Sequence, residues 1–190
     1  MADRVHIGLL RGINVGGANK ISMKDLAETA TAAGFDAVKT YVQSGNLVFR
    51  ASGTEKALAK TLVTALAERN GLDVTVMVCG RDGWKDVIAK NPFPHAADNH
   101  KTLHTFILDR MPSDEKLDDL RSRDFGTDEW KIVDGTLYLY VPDGLGRSKL
   151  ANSVERILKV AMTARNWRTV LALDELADEI KAQSLSLIHI

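Results

Sequence analysis

Cysteine is almost absent. The single Cys79 excludes a disulfide framework and a cysteine-built zinc site. No apolar run approaches the ~18 residues a membrane helix needs. The start, Met1-Ala2-Asp3-Arg4, leads into a short stretch interrupted by Arg11 and glycines, which does not read as a signal peptide. A bacterial, cytoplasmic protein is the expectation. Charge excess is also missing: 25 Lys and Arg balance 25 Asp and Glu. Residues 1–79 carry nine cations against seven anions and the remainder 16 against 18, so neither half is a basic platform for nucleic acid. Nor is there a P-loop ending in Lys-Ser/Thr, a dinucleotide turn or a G-x-S-x-G elbow. What remains is 45% apolar and 26% charged residues over 190 positions. That is an ordinary globular mix, which excludes disorder, collagen and coiled coil, and its length suits one larger domain or two small ones.

The chain reads as two similar halves. Val5–Leu10 is a strand running into glycine-rich Gly12-Ile13-Asn14-Val15-Gly16-Gly17. Ser22 reads as a helix cap with Asp25 in the first turn, and Gly34 as a stop. Val38–Phe49 reads as a hairpin about Ser44-Gly45-Asn46. A second helix with Leu58, Leu62 and Leu66 follows, ended by Asn70-Gly71, and then the strand Val74–Val78. This β-α-β-β-α-β order is the split βαβ, or ferredoxin-like, unit, with an expected sheet order of 4-1-3-2 and two helices on one face. The second half repeats β-α-β-β-α: a strand over 102–108, a helix from Ser113, a hairpin about Asp134-Gly135 and a helix over 148–160, with no evident last strand. Asn166–Lys181 reads as an extra amphipathic helix.

The expected class is therefore α+β, two tandem ferredoxin-like halves with antiparallel sheets and a C-terminal helix. Residues 1–79 form the first half, 80–101 a connector with a short helix and 102–182 the second half. The stretch Leu185–Ile190 breaks the amphipathic pattern and resembles a translated transposon end, so residues 183–190 are set aside as a non-native tail, with the native terminus unknown beyond about Ala182.

Three stretches carry a resemblance: Leu10-Arg11-Gly12-Ile13-Asn14-Val15-Gly16-Gly17, Tyr41-Val42-Gln43-Ser44-Gly45-Asn46-Leu47-Val48-Phe49 and Thr163-Ala164-Arg165-Asn166-Trp167-Arg168-Thr169-Val170. Together they resemble the bacterial family called domain of unknown function 1697, over about Val5 to Ala182. The resemblance implies a cytosolic protein with tandem α/β halves. It implies no activity, cofactor or catalytic residue. Ala164 departs from a hydroxyl residue that is commoner in the family.

In a split βαβ unit the end of the first strand neighbours the start of the third. Arg11, Asn14, Gly16 and Gly17 should therefore meet Gln43, Ser44 and Asn46, with Lys20 and the helix start at Ser22 nearby. That set is donor-rich and suits a small oxyanion, phosphate or carboxylate. Tight turns use the same residue types, and Arg11 has Asp25 or Asp36 as alternative partners. Ser148, Lys149 and Arg165 are secondary candidates. Arg147, Lys149, Arg165 and Arg168 serve the alternative of a nucleic-acid-associated or protein-interaction module without catalysis, though only His6 and Phe49 could offer aromatics on strands one and three. Trp167 is expected to fill the core. His95, His100 and His104 read as solvated connector histidines rather than metal ligands, and Cys79 as a buried, inert thiol. No metal, cofactor or reaction is assigned.

Overall fold

The structure is a computed structural model that describes residues 4–186. Its described chain divides into two compact units: residues up to Asp86 together with those from Leu171, and residues Val87–Val170.

In the first unit, β1 (Arg4–Leu10), α1 (Met23–Ala32), β2 (Asp36–Tyr41), β3 (Asn46–Ala51), α2 (Glu55–Asn70) and β4 (Val76–Gly80) follow one another. The antiparallel sheet has the order β2-β3-β1-β4, as the split βαβ reading requires. Ser22 and Thr54 accept the amides of Asp25 and Ala57 and so start α1 and α2. Gly71, in the left-handed region, ends α2. Leu26 and Ala30 of α1 and Leu58, Leu62 and Leu66 of α2 close over Leu47 and Phe49, each buried large side chain being worth ~1.5–3 kcal/mol. Phe35 stacks on Phe49 at 4.3 Å.

α3 (Arg81–Ala89) follows β4 directly, and α6 (Trp167–Ser186) ends the described chain. The sequence reading attached the whole C-terminal helix to the second half. From Leu171 onward it groups instead with the first unit. Ion pairs join it there: Lys85 Nζ lies 2.9 Å from Asp174 and 3.0 Å from Asp178, Arg81 pairs with Asp178 at 2.6 Å and Lys39 with Glu179 at 2.7 Å, while Leu173, Ala177 and Ile180 of the helix are buried. The tail reading falls largely on residues 187–190 and the side chains of 185 and 186, which lie outside the described residues; α6 itself continues to Ser186.

The second unit contains β5 (Leu103–Leu108), α4 (Asp114–Arg121), β6 (Glu129–Val133), β7 (Thr136–Tyr140), α5 (Lys149–Leu158) and β8 (Met162–Asn166), with the sheet order β6-β7-β5-β8. The strand order is that of the first unit. A last strand, absent from the sequence reading, is thus present: β8 pairs with β5 from His104↔Asn166 to Leu108↔Met162. Its sequence, Met-Thr-Ala-Arg-Asn, is short and offers only Met162 and Ala164 as apolar residues, with Thr163 and Arg165 between and beyond them. Both are buried while polar, which a hydrophobic pattern does not register.

The β1 end, which bears on the site, is tightly held. Leu10 N–H donates to Gly45 at 2.8 Å and Arg11 N–H to Thr75 at 2.9 Å, extending the ladder past the strand on both edges. Gly45 sits at φ +79°, and a Cβ there would lie 2.7 Å from Leu10 Cβ and 2.9 Å from Ile13 Cδ1. Gly45→Ala is therefore expected to destabilise the protein by about 2 kcal/mol or more, from left-handed strain and overpacking together. Chemical denaturation of the variant measures this.

Candidate functional site

The loop after β1 and the turn before β3 meet, as the topology demands. Asn14 makes the join. Its Nδ2 donates to the carbonyls of Ile21 at 2.9 Å and Gln43 at 3.0 Å, while its Oδ1 accepts from Ile21 N–H at 3.0 Å. Asn14 itself adopts φ +55°, which Asn tolerates. Val42, at φ +48° and 51% exposed, has no such tolerance. Its strain is sustained from both sides, by the Asn14 bond to Gln43 and by Asn46 Nδ2 donating to Tyr41 O at 3.0 Å.

The groove so formed has a volume of about 460 Å³ and is lined by Asn14, Gly17, Lys20, Ile21, Ser22, Asp25 and Gln43. Arg11, Gly16, Ser44 and Asn46 are not among its lining residues. Asn46 is fully buried and holds Tyr41 O and Ser44 Oγ. Its polar atoms, like those of Asn14, brace the turn. Asp36 pairs with Arg50 and Asp25 with Ser22, whose hydroxyl donates to it at 2.7 Å. Lys20 and Gln43 are exposed, and the adjacent N–H groups of Gly16 and Gly17 have no hydrogen-bond partner among the described residues. Both glycines have positive φ, and the Lys20 stem lies 4.0 Å from where a Gly17 Cβ would be.

The secondary candidates behave differently. Ser148 is buried, accepting from Ala151 N–H at 2.8 Å and donating to Asp128 at 2.7 Å, so its hydroxyl starts α5. Lys149 is exposed. Arg165 is buried and donates to Thr163 Oγ1 at 2.9 Å and Ala164 O at 2.7 Å; burial pushes its pKa down to about 10. Trp167 is buried, as expected. His6 and Phe49 are buried and stacked on each other at 5.7 Å, so the first sheet has no open aromatic platform of these residues for bases.

The reading of three solvated histidines holds for His95 and is corrected for His104. His95 is exposed, with its ring edge against Tyr140 at 4.9 Å. His100 accepts a bond from Arg168 at 3.2 Å. His104 is buried on β5, its Nε2 against Lys101 O at 3.1 Å. Its register explains the burial: it faces Leu139 and Asn166 at the rim of the sheet. His100, Lys101, His104, Asp143 and Arg147 line a second groove of about 650 Å³ with Gly144, Leu145, Gly146 and Asn166. Sequence reasoning singled out Arg147 but missed Lys101 and His104 as groove residues. The signal that could have found them is the glycine pair flanking Leu145, just before a helix cap. Cys79 is partly buried, and burial pushes its thiol up to about 12, the state of an unreactive sulfur. No group of three His, Cys, Asp or Glu side chains suited to a metal occurs among the described residues.

Residues 4–138 match the family described as "Protein of unknown function (DUF1697)", and the chain belongs to that family. The third signature stretch, 163–170, lies beyond the matched residues. Among solved structures, the chain is similar to the conserved bacterial protein SP0830 from Streptococcus pneumoniae, at 19% identity and TM-score 0.73, over 93% of this chain and 99% of that one. At that identity the likeness shows the fold alone. A second structure, named "putative glycine cleavage system transcriptional repressor", aligns at 14% identity over 86% of this chain and 96% of that one, but its TM-score of 0.22 carries no argument. No curated protein matches the chain significantly.

Two expected outcomes follow from this geometry. Asn14→Ala removes three braces and leaves the Gln43 and Ile21 groups without a partner, at a cost of roughly 1–3 kcal/mol in an unfolding titration. His6 and His104 both have their pKa lowered from 6.5, first by burial. Below pH 6.5 the unfolded chain then binds protons that the folded one does not. Stability is complete above pH 6.5 and falls as the pH drops toward the lowered folded values. His6→Phe, which retains the stack on Phe49, should flatten part of that acid limb in melting temperature against pH.

Proposed function

We propose that this chain binds a small anionic ligand, bearing phosphate or carboxylate, in the groove between the Arg11–Gly17 loop and the Gln43–Asn46 turn, and does so in the cytoplasm. The observation that carries the reading is the unpartnered amide of Gly17, which lines the groove with Lys20 and follows the equally unpartnered amide of Gly16 in the chain. Consecutive amides in a turned loop form a concavity for an oxyanion. Lys20 supplies the counter-charge, and the start of α1 adds the positive end of a helix. Bracing by Asn14 holds the loop before the ligand arrives, which lowers the ordering cost of binding. Arg11, at the root of the loop, contributes further positive charge to the same edge.

Titration with inorganic phosphate, followed through the amide resonances of Gly16 and Gly17, tests the reading. Lys20→Ala is expected to weaken binding by about ten- to hundredfold, the worth of one charge-assisted contact. Its melting temperature should hardly change, because an exposed lysine contributes little to the fold. Arg11→Ala, which alters a residue outside the groove lining, should weaken binding less than Lys20→Ala does. Unaltered affinity in Lys20→Ala would sink the proposal. Titration with single-stranded DNA over a range of salt decides the alternative, because multiple phosphate contacts lose affinity steeply as salt rises.

A further inference from the structure

We propose that the groove at the start of β5 is a second, separate site, for a phosphate monoester that carries a free hydroxyl. It lies within the second unit and shares no residue with the groove above.

The groove carries cations. Lys101 and Arg147 line the groove, are exposed, and make no salt bridge among the described residues. A third cation, Arg168, donates to His100 Nδ1 at 3.2 Å. That bond assigns the proton of a neutral His100 to Nε2, leaving it as a further donor. A guanidinium and an ammonium that line one groove with a donor imidazole suit a phosphate dianion.

The groove also carries acceptors. His104 Nε2 faces Lys101 O at 3.1 Å, a contact only an Nε2–H satisfies, so Nδ1 is the acceptor of the neutral ring. Burial holds that ring neutral by lowering its pKa. The Asp143 carboxylate stands on the same groove. The phosphoryl group of a monoester dianion has no proton to give either group, whereas a hydroxyl elsewhere on the same molecule does. The volume of about 650 Å³ is in the range of small-molecule sites. Gly144 and Gly146 keep the approach open, since a Cβ on either would meet nothing within 4 Å.

A comparison with β1 supports a built site. His6 holds the same ladder position in the first sheet, opposite the last residue of β4, Gly80, as His104 does opposite the last residue of β8, Asn166. Between β3 and α2 the connection is only Ser52–Thr54, and both ring nitrogens of His6 are buried without a hydrogen-bond partner among the described residues. Between β7 and α5 it runs from Val141 to Ser148, and the groove opens there.

The test is titration of the whole chain with ribose 5-phosphate and with inorganic phosphate, read from the ring resonances of His100 and His104. Ribose 5-phosphate is expected to shift both rings and to bind at least tenfold more tightly than inorganic phosphate. The double variant Lys101→Ala/Arg147→Ala, altered only at exposed positions, should lose at least tenfold in affinity for both. His104→Phe should abolish the preference for the sugar phosphate, and Asp143→Asn provides the same measurement should His104→Phe fail to fold. Absence of any ring shift, or undiminished binding by the double variant, overturns the site. A preference that survives both His104→Phe and Asp143→Asn overturns the hydroxyl-bearing ligand. Lys20→Ala should leave these resonances unchanged, so failure of one groove is distinguishable from failure of the other.

Discussion

In each unit a central strand is hydrogen-bonded along both edges, and every other placement follows from that. β1 lies between β3 and β4, and β5 between β7 and β8. Six consecutive residues of β1, Val5–Leu10, are buried, so neither face tolerates a slip of register. A one-residue shift would carry Ile7 and Leu9 to the opposite face and put His6 in their layer. The ladder also continues beyond the strand, through Leu10 to Gly45 and Arg11 to Thr75. The loop that leaves β1 is thereby aimed before its own residues make a contact.

Within that loop, polar groups divide into those that build the fold and those that face water. Asn14 and Asn46 donate N–H groups to the carbonyls of the irregular backbone around Val42, and their side chains are engaged in doing so. The amides of Gly16 and Gly17 and the ammonium of Lys20 are not used in that way. A carboxamide that rigidifies a loop still serves binding indirectly, because a loop held in one conformation loses less entropy when a ligand arrives. Ser148 and Arg165 illustrate the structural role in the second unit, one starting a helix and the other bonded to its own strand.

The two units share a strand order and differ in a connection. A three-residue link after β3 and a longer one after β7 leave equivalent histidines in different surroundings, one sealed and one at a groove. Loop length is inexpensive in free energy, growing only slowly with added residues. A duplicated fold can therefore acquire distinct concavities without disturbing its sheets.

Local chemistry alone determined much of the architecture. Period-2 and period-3.6 patterns, the caps at Ser22, Thr54 and Ser148, and the Asp134-Gly135 turn specify elements through neighbours a few residues away, and those elements stand where the sequence places them. The meeting of the Arg11–Gly17 and Gln43–Asn46 stretches was legible too, since chain order and handed connections leave few topologies. Only the tertiary structure revealed β8, because Thr163 and Arg165 are buried polar residues whose partners, such as Thr105, lie far off in the chain. Only it separated Asn14 from Lys20, or brought Lys101 to Arg147. Whether a polar atom is consumed or available depends on groups tens of residues distant, and hydrophobic periodicity carries no record of them.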